Sequence, residues 1–588
     1  MFLKKTKIVC TVGPASNDEE LLIELMKNGL NVARLNFSHG TYEGHKEIID
    51  TIKRAREKAN RPVAIMLDTK GPEIRTGDFE GGKVFLETGQ DVIVTTRQVM
   101  GNQELIPITY ENIVNDVEVG NRILIDDGLI ELKILEIKDT EIKCKVNNGG
   151  EVSNHKGINI PMVKISLPAV TQKDIDDIVF GIENEVDFIA ASFVRKAQDV
   201  IDIRKVLEDN GGEDIDIISK IENYEGVENI SEIVEATDGI MVARGDLGVE
   251  IPPEEVPLVQ KDIIKRCNKV GKPVITATQM LDSMTRNPRP TRAEVTDVAN
   301  SILDGTDAVM LSGETAIGKY PLEAVKTMAR IGKRMEDSIN YKKMIRTKSL
   351  DLGSTITESI CFSASAGALN LGAEAILTPT SSGYTAKAVA KVRPRAPIIA
   401  AVQDDRVCRK LNLIWGVTPI ISPPSNGTDE LFEHSINSSK DHGLIKDGDL
   451  VFITAGIPVG VSGSTNMIKI HKVGQITIKG IGIGTERATG RVCVVSNIND
   501  FEENFQDGDI VVAISIEKAM IDYLKRASGI ITEESGMTSN AAIVGLSLGI
   551  PVIVGISDIK NRIFQGETVT IDPEVGVIYK GGIEDIEE

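Results

Sequence analysis

Hydrophobic positions in the first 340 residues fall into short apolar runs, each followed by a stretch with helical spacing. Eight such runs occur: "KIVCTVGP", "NVARLNFSHG", "VAIMLDTKGPE", "DFIAASFV", "DIISKIEN", "GIMVARGDLG", "PVITATQM" and "AVMLSGET". Two of the intervening helical stretches open on Ser/Thr-x-x-Glu, Ser16 with Glu19 before "LLIELMKNG" and Thr291 with Glu294 before "VTDVANSIL". Gly29 and Gly305 are placed to stop them. Eight strand-helix units predict an α/β fold with a closed (β/α)8 TIM barrel, in which chemistry sits where strands end and loops begin. An open doubly wound sheet is the alternative, but it confines its ligand groups to a switch point. Here polar residues end most of the runs.

After the third run the period changes to two, in "ILIDDGLIELKILEI" and "TEIKCKV", with turns at "DDG", "KDT" and "NNGG". This predicts a small β-barrel insert over residues 74–166, a lid over the mouth of a barrel formed by 1–73 and 167–340. From about 341 to 474 alternation returns in "EAILTPT", "PIIAAV", "TPIIS" and "DLVFITAG", an open α/β domain. The Gly-rich "IKGIGIGTERATG" leads into a last segment, 475–588. Four modules agree with the length prior for 588 residues.

Composition narrows the function classes. The longest apolar stretch, "AAIVGLSLGIPVIVGI", is interrupted by Gly, Ser and Pro and is too short for a bilayer span, and the N-terminus lacks a long apolar signal core. A cytoplasmic protein with no membrane partner is expected. The six cysteines have no C-x-x-C spacing, so reduced thiols are expected rather than disulfides or zinc. Sixty-six basic against eighty-seven acidic residues give a net charge of −21, which repels nucleic acid. An acidic protein with an anionic substrate must hold it with a few placed cations, so each cation at a strand end carries information.

In "IISKIENYEG", Lys220 and Glu222 lie two apart and share one face of a strand. A lysine there can neutralise a transferring phosphoryl group or a developing enolate, and Glu222 with Asp246 of "ARGDLG" offers the hard oxygens Mg2+ prefers. A buried structural ion pair reads equally well for Lys220 and Glu222 alone; Asp246 at the next strand end weakens that alternative. Arg34 and Arg75 suit bidentate recognition of phosphate. Asn36, Ser38, Asp68 and the Thr69 carbonyl form an oxygen set with a single charge, suited to a monovalent cation, although alone Arg34 also reads as a surface pair, Asn36 and Ser38 as turn residues and Asp68 as a cap. Thr278 of "ATATQML" reads as a proton relay or as strand packing, and His39 reads better as structural. There is no G-x-x-x-x-G-K-[ST], and "GIGIG" lacks the strand-to-helix setting of a dinucleotide fingerprint.

"KIVCTVGPAS", "ARLNFSHG", "LDTKGPEIRTG", "SKIEN", "MVARGDLGVEIP", "ATQMLDSM" and "LSGETAIGKYP" together resemble the signature blocks of the pyruvate kinase family, over roughly residues 1–474. The resemblance implies phosphoryl transfer from phosphoenolpyruvate to ADP, then protonation of the enolate to pyruvate. It implies substrate contacts at Arg34, Lys220, Gly245, Asp246 and Thr278, with Lys220 and Thr278 catalytic. It further implies Mg2+ (or Mn2+) on Glu222 and Asp246, K+ on Asn36, Ser38, Asp68 and Thr69, and nucleotide contacts at Asn36, Arg75 and Lys156 of "NHKGIN". Glu73 stands where K+-dependent members carry Glu and K+-independent ones Lys, so K+ activation is expected. "LTPTSSGYTAKAVAKVRP" resembles the family's effector-phosphate loop, with Thr380, Ser381, Ser382, Gly383 and Thr385 as candidates for a phosphorylated small-molecule effector; an ordinary hydroxyl-capped turn is the alternative. A homotetramer is implied.

"SGIITEESGMTSNAAIVGLSLGIPVIVG" resembles the mobile phosphohistidine domain of phosphoenolpyruvate-utilising enzymes, but Asn540 stands where the phosphoryl-carrying histidine belongs. An amide nitrogen with a delocalised lone pair is no phosphoryl acceptor, so a structural or assembly role is expected. The rival readings are a Mg2+-dependent lyase, which leaves the lid lysine and paired arginines unexplained, a pyruvate phosphate dikinase, which needs the missing histidine, and a regulator that has lost catalysis.

Overall fold

The computed structural model describes residues 4–350, 353, 355–457, 463–474, 478–559 and 562–581. The chain divides into two compact units, Met1–Ile445 with Leu450–His471, and Lys446–Asp449 with Lys472–Glu588.

All eight apolar runs of the first unit are parallel strands of a closed barrel. In chain order they are Lys7–Thr11, Val32–Asn36, Ala64–Asp68, Phe188–Ala191, Asp216–Ile221, Gly239–Ala243, Val274–Ala277 and Ala308–Leu311. Strand residues are buried on both faces. Outward side chains such as Leu35, Leu67 and Ile217 pack under the helices, while Val32, Met66, Phe188, Ile218, Met241 and Met310 fill the interior. This double burial explains why the runs read as continuous rather than alternating.

Thr291 and Glu294 form the expected capping box, and Gly29 and Gly305 terminate their helices. The first helix departs from expectation. It begins at Glu19 and is capped by Asp18, whose Oδ1 accepts from Leu21 N at 3.0 Å. Ser16 Oγ instead accepts from Gly13 N, and Glu19, at the first helical position rather than the third, pairs with Arg54 and Lys58.

Between the third and fourth barrel strands lie a seven-stranded sheet and a two-stranded one that share an apolar core including Leu86, Ile106, Ile123, Leu132, Ile142 and Val152. Past the eighth strand, a five-stranded sheet contains the parallel strands Ala375–Leu377, Ile398–Val402, Val417–Ile421 and Leu450–Gly456. This α/β domain is tied to the barrel where the barrel strands start: Arg409 pairs with Asp187 at 2.8 Å, Arg393 with Asp307 at 3.1 Å, and Leu413 joins the interior cluster of the barrel. The second unit holds an eight-stranded sheet and the helix Asn540–Leu548. Among the described residues, no helix is long and apolar enough to cross a membrane.

Candidate active site

Alternation along the strands builds the site. Ile218 points into the barrel interior, so Lys220 takes the next inward position and Glu222 the one beyond. The same parity runs Val9 to Thr11, Val32 to Arg34, Met66 to Asp68 and Ala190 to Ser192. Register sets Thr11 beside Arg34 and Ala190 beside Asp68. A polar layer therefore caps the apolar filling at the C-terminal ends of the strands, where barrels place their chemistry.

The Lys220 ammonium makes three contacts, one for each of its hydrogens: Asp68 Oδ1 at 3.0 Å, Glu222 Oε1 at 3.0 Å and Ser192 Oγ at 2.7 Å. Asp68 Oδ2 accepts from Arg34 Nε at 2.5 Å, and Arg34 Nη1 donates to Thr11 Oγ1 at 2.8 Å. The Ser192 hydroxyl donates to the Thr69 carbonyl at 2.7 Å. Burial alone would lower the Lys220 pKa, but Asp68 and Glu222 outweigh it and hold it above the ordinary lysine value. Burial would likewise raise the Asp68 carboxyl, yet Arg34 and Lys220 keep it below the ordinary carboxylate range. Glu222 is pushed up to about 7 by burial and by Asp246 and Asp68, against the pull of Lys220 and of Phe193 N, which donates to Glu222 Oε2 at 2.7 Å. Asp246 is raised too, chiefly by burial.

Asp246 stands in the first turn of the short helix Arg244–Glu250. Gly245 N donates to Thr278 Oγ1 at 2.8 Å, and Arg244 Nη2 donates to the Thr278 carbonyl at 2.7 Å. Thr278 has φ +67, a left-handed conformation costly for a β-branched residue. Arg244, which also pairs with Asp297 at 2.7 Å, clamps it there. Gly71, at φ +71, needs its missing side chain, because a Cβ would fall 2.8 Å from Ser192 Cβ.

A cavity of 540 Å³ opens between these strand ends and the β insert, lined by His39, Glu73, Arg75, Lys156 and Asp246 among others. Arg75 reaches Glu73 at 2.5 Å and donates to the His155 carbonyl at 2.6 Å; Lys156 donates to Asp126 at 2.9 Å. Buried Glu222, raised by burial and by Asp246 and Asp68, and half-buried Asp246, raised by burial and by Asp127 and Glu73, fit a divalent cation, which would relieve both. The monovalent-cation set is brought together in part. Asp68 and the Thr69 carbonyl share the Ser192 hydroxyl, and Asn36 Oδ1 accepts from Ser38 N at 3.2 Å.

Comparison with known proteins decides what this arrangement belongs to. The family described as "Pyruvate kinase, barrel domain" matches residues 3–325, "Pyruvate kinase, alpha/beta domain" matches 358–471, and "PEP-utilising enzyme, mobile domain" matches 505–576. Pyruvate kinases of Bacillus licheniformis and Geobacillus stearothermophilus are each 52% identical, over 98% of this chain and 99% of theirs. A solved pyruvate kinase of Cryptosporidium parvum, 42% identical, superposes with a TM-score of 0.77 over 80% of this chain and 96% of its own. The chain belongs to the pyruvate kinase family. Its activity is transfer of phosphoryl from phosphoenolpyruvate to ADP, giving pyruvate and ATP in glycolysis.

Sequence reasoning passed over four residues of this pyruvate kinase site. Ser192 and Thr11 carry the inward parity of strand ends already recognised, so applying the alternation to every strand would have found them. Phe193 acts through its backbone N–H and Arg244 through long-range bonds, and neither leaves a sequence signal.

In the α/β domain of this pyruvate kinase chain, Gly383 is the N-cap of the helix Tyr384–Val392, and Thr380 Oγ1 accepts from Gly383 N at 3.1 Å. Thr385 is buried with its hydroxyl 2.8 Å from that of Thr465. Ser381 and Ser382 are exposed. In the second unit Ser539 caps the helix, Asn540 Nδ2 donates to the Ile516 carbonyl at 3.2 Å, and Glu534 Oε2 accepts from Ala541 N at 3.4 Å. A carboxylate thus occupies the helix terminus, and the unit contains no histidine.

Proposed function

We propose that Lys220 neutralises charge on the phosphoryl group as it passes from phosphoenolpyruvate to ADP, and that Arg34, Gly245, Asp246 and Thr278 hold the substrate. The observation that carries this is the buried ammonium, kept charged and fixed by Asp68, Glu222 and Ser192 at the mouth of the barrel. Glu222 and Asp246 would hold Mg2+ (or Mn2+), which supplies Lewis-acid neutralisation of phosphoryl oxygens. Lys220, held 3.0 Å from Glu222, turns an ammonium hydrogen toward the substrate anion. Thr278 Oγ1, which donates to the Ala277 carbonyl at 2.6 Å, is the group through which a proton reaches the enolate. Asn36, Arg75 and Lys156 are assigned to the nucleotide, with Lys156 and Arg75 leaving Asp126 and Glu73 for phosphate oxygens. Asn36, Ser38, Asp68 and the Thr69 carbonyl are assigned to K+.

The same reading assigns the barrel to 1–73 and 167–340, the lid to 74–166, the α/β domain to 341–474 and the last domain to 475–588. It makes the enzyme a cytoplasmic homotetramer, with a phosphorylated effector at Thr380, Ser381, Ser382, Gly383 and Thr385. It gives the last domain no part in phosphoryl transfer. Pyruvate release from phosphoenolpyruvate and ADP with Mg2+ and K+, in the parent and in Lys220→Met, tests it. The variant keeps Mg2+ and loses turnover; ordinary turnover removes Lys220 from the chemistry.

A further inference from the structure

A second cavity, of 310 Å³, lies far from the mouth of the barrel, between the end of the helix Tyr42–Ala59 and the α/β domain. Three guanidinium groups line it: Arg56 and Arg61 from the barrel, and Arg409 from the helix Asp405–Leu411. In a protein of net charge −21, cations are ordinarily paired. Arg409 is paired, its Nε on Asp187 Oδ1 at 2.8 Å, while Asp187 Oδ2 accepts from Ile65 N at 2.9 Å. The Arg56 Nη1 atom is buried and has no hydrogen-bond partner. Neither Arg56 nor Arg61 forms a side-chain ion pair among the described residues. The Arg56 pKa is lowered by burial and by the neighbouring Arg409, against the pull of Asp187, Glu57 and Glu185. The acids on the lining, Glu57 and Asp405, are exposed to water, where their charge is screened.

A buried unsatisfied donor in a native structure calls for an explanation, and converging arginines match the forked oxygens of a phosphate. Apolar wall is supplied by Pro419, Ile420 and Leu444. The volume falls at the lower end of roughly 300–1,000 Å³ seen for small-ligand sites.

We propose that this cavity binds a small phosphate monoester with an apolar organic part, held by Arg56, Arg61 and Arg409 between the barrel and the α/β domain. The site is separate from the Thr380–Thr385 loop. Its occupant touches both domains of the first unit, and one wall is the far end of the helix that follows the Asn36–Ser38 segment.

Equilibrium dialysis of phenyl phosphate against the full chain and against Arg56→Gln/Arg61→Gln tests this, since active-site and loop binding is common to both. The parent binds one more equivalent per chain than the double variant, and benzoate, with one negative charge, binds this site at least about tenfold more weakly, a difference of roughly 1.4 kcal/mol. Equal binding by parent and double variant, or equal affinity for benzoate, overturns the proposal. Arg56→Gln alone provides a second reading. It unfolds at the same temperature as the parent or higher in phosphate-free buffer, because an unpaired cation beside Arg409 is a cost without ligand. A clearly lower unfolding temperature makes Arg56 structural and overturns the proposal.

Discussion

Replacing Lys220 by Met takes the only ammonium out of a cluster in which Arg34 and Lys220 face Asp68, Glu222 and Asp246. Two cations against three carboxylates become one against three, so the net charge of the cluster moves from −1 to −2. Three hydrogen bonds of 3.0, 3.0 and 2.7 Å disappear with it. Removing one partner from a buried ion pair costs about 3–5 kcal/mol. Glu222, already near 7, rises further without Lys220 and takes up a proton, which holds the loss to about 3 kcal/mol. For a barrel of this size that is a fall of about 6 °C in its unfolding midpoint. Mg2+ binding persists, because Glu222 and Asp246 remain and a repelling cation has gone, but the metal must displace the proton gained by Glu222, so saturating Mg2+ recovers part of the lost stability. Turnover falls by at least about a hundredfold, the scale seen when a group that stabilises transition-state charge is removed. Thermal unfolding with and without Mg2+, calorimetric Mg2+ titration and pyruvate release measure the three effects. A metal-free variant as stable as the parent, or one with normal turnover, would refute the reasoning.

Ser192→Ala removes one of the three acceptors of Lys220; hydrogen bonds to charged groups contribute about 1.5–3 kcal/mol, so turnover falls about tenfold with KM for phosphoenolpyruvate little changed in steady-state assays. Glu73→Lys, which breaks the 2.5 Å pair with Arg75, makes activity independent of K+; a variant that needs K+ as much as the parent counts against the K+ assignment. Lys7 is buried and lowered to about 7 by burial and by Lys4, with Glu336 and Asp307 opposing. Between pH 7 and the ordinary lysine value the unfolded chain binds the extra proton, so stability rises with pH by up to about 1.4 kcal/mol per unit. Lys7→Met removes that share of the slope in denaturant titrations at several pH values, leaving the shares of Lys4 and Lys5, which burial lowers to about 8 and about 7. After incubation with phosphoenolpyruvate, peptide mass mapping finds no phosphoryl group on residues 505–576; a stable adduct there defeats the reading of Asn540.

Much of the architecture was legible because strands and helices write their period into the chain. Eight apolar runs separated by amphipathic stretches specify a parallel barrel, and Lys220, Glu222, Arg34 and Asp68 were recognisable because polar residues at the ends of buried strands are expensive. The first helix was misplaced by two residues because Ser16 and Asp18 are both competent caps, and only the packed position of Glu19 against Arg54 and Lys58 chooses between them.

Other features exist only after folding. The sequence alone settled which residues carry charge and which way each strand side chain faces, since alternation is a property of the local backbone. It could not settle that Ser192 receives the Lys220 ammonium, that Arg244 clamps Thr278 at a positive φ, or that the Arg56 Nη1 atom ends buried near Arg409 without a hydrogen-bond partner. Those contacts join residues 28, 34 and more than 300 positions apart. Barrel closure and domain packing bring them together, and burial then shifts their ionisation, which no local pattern records.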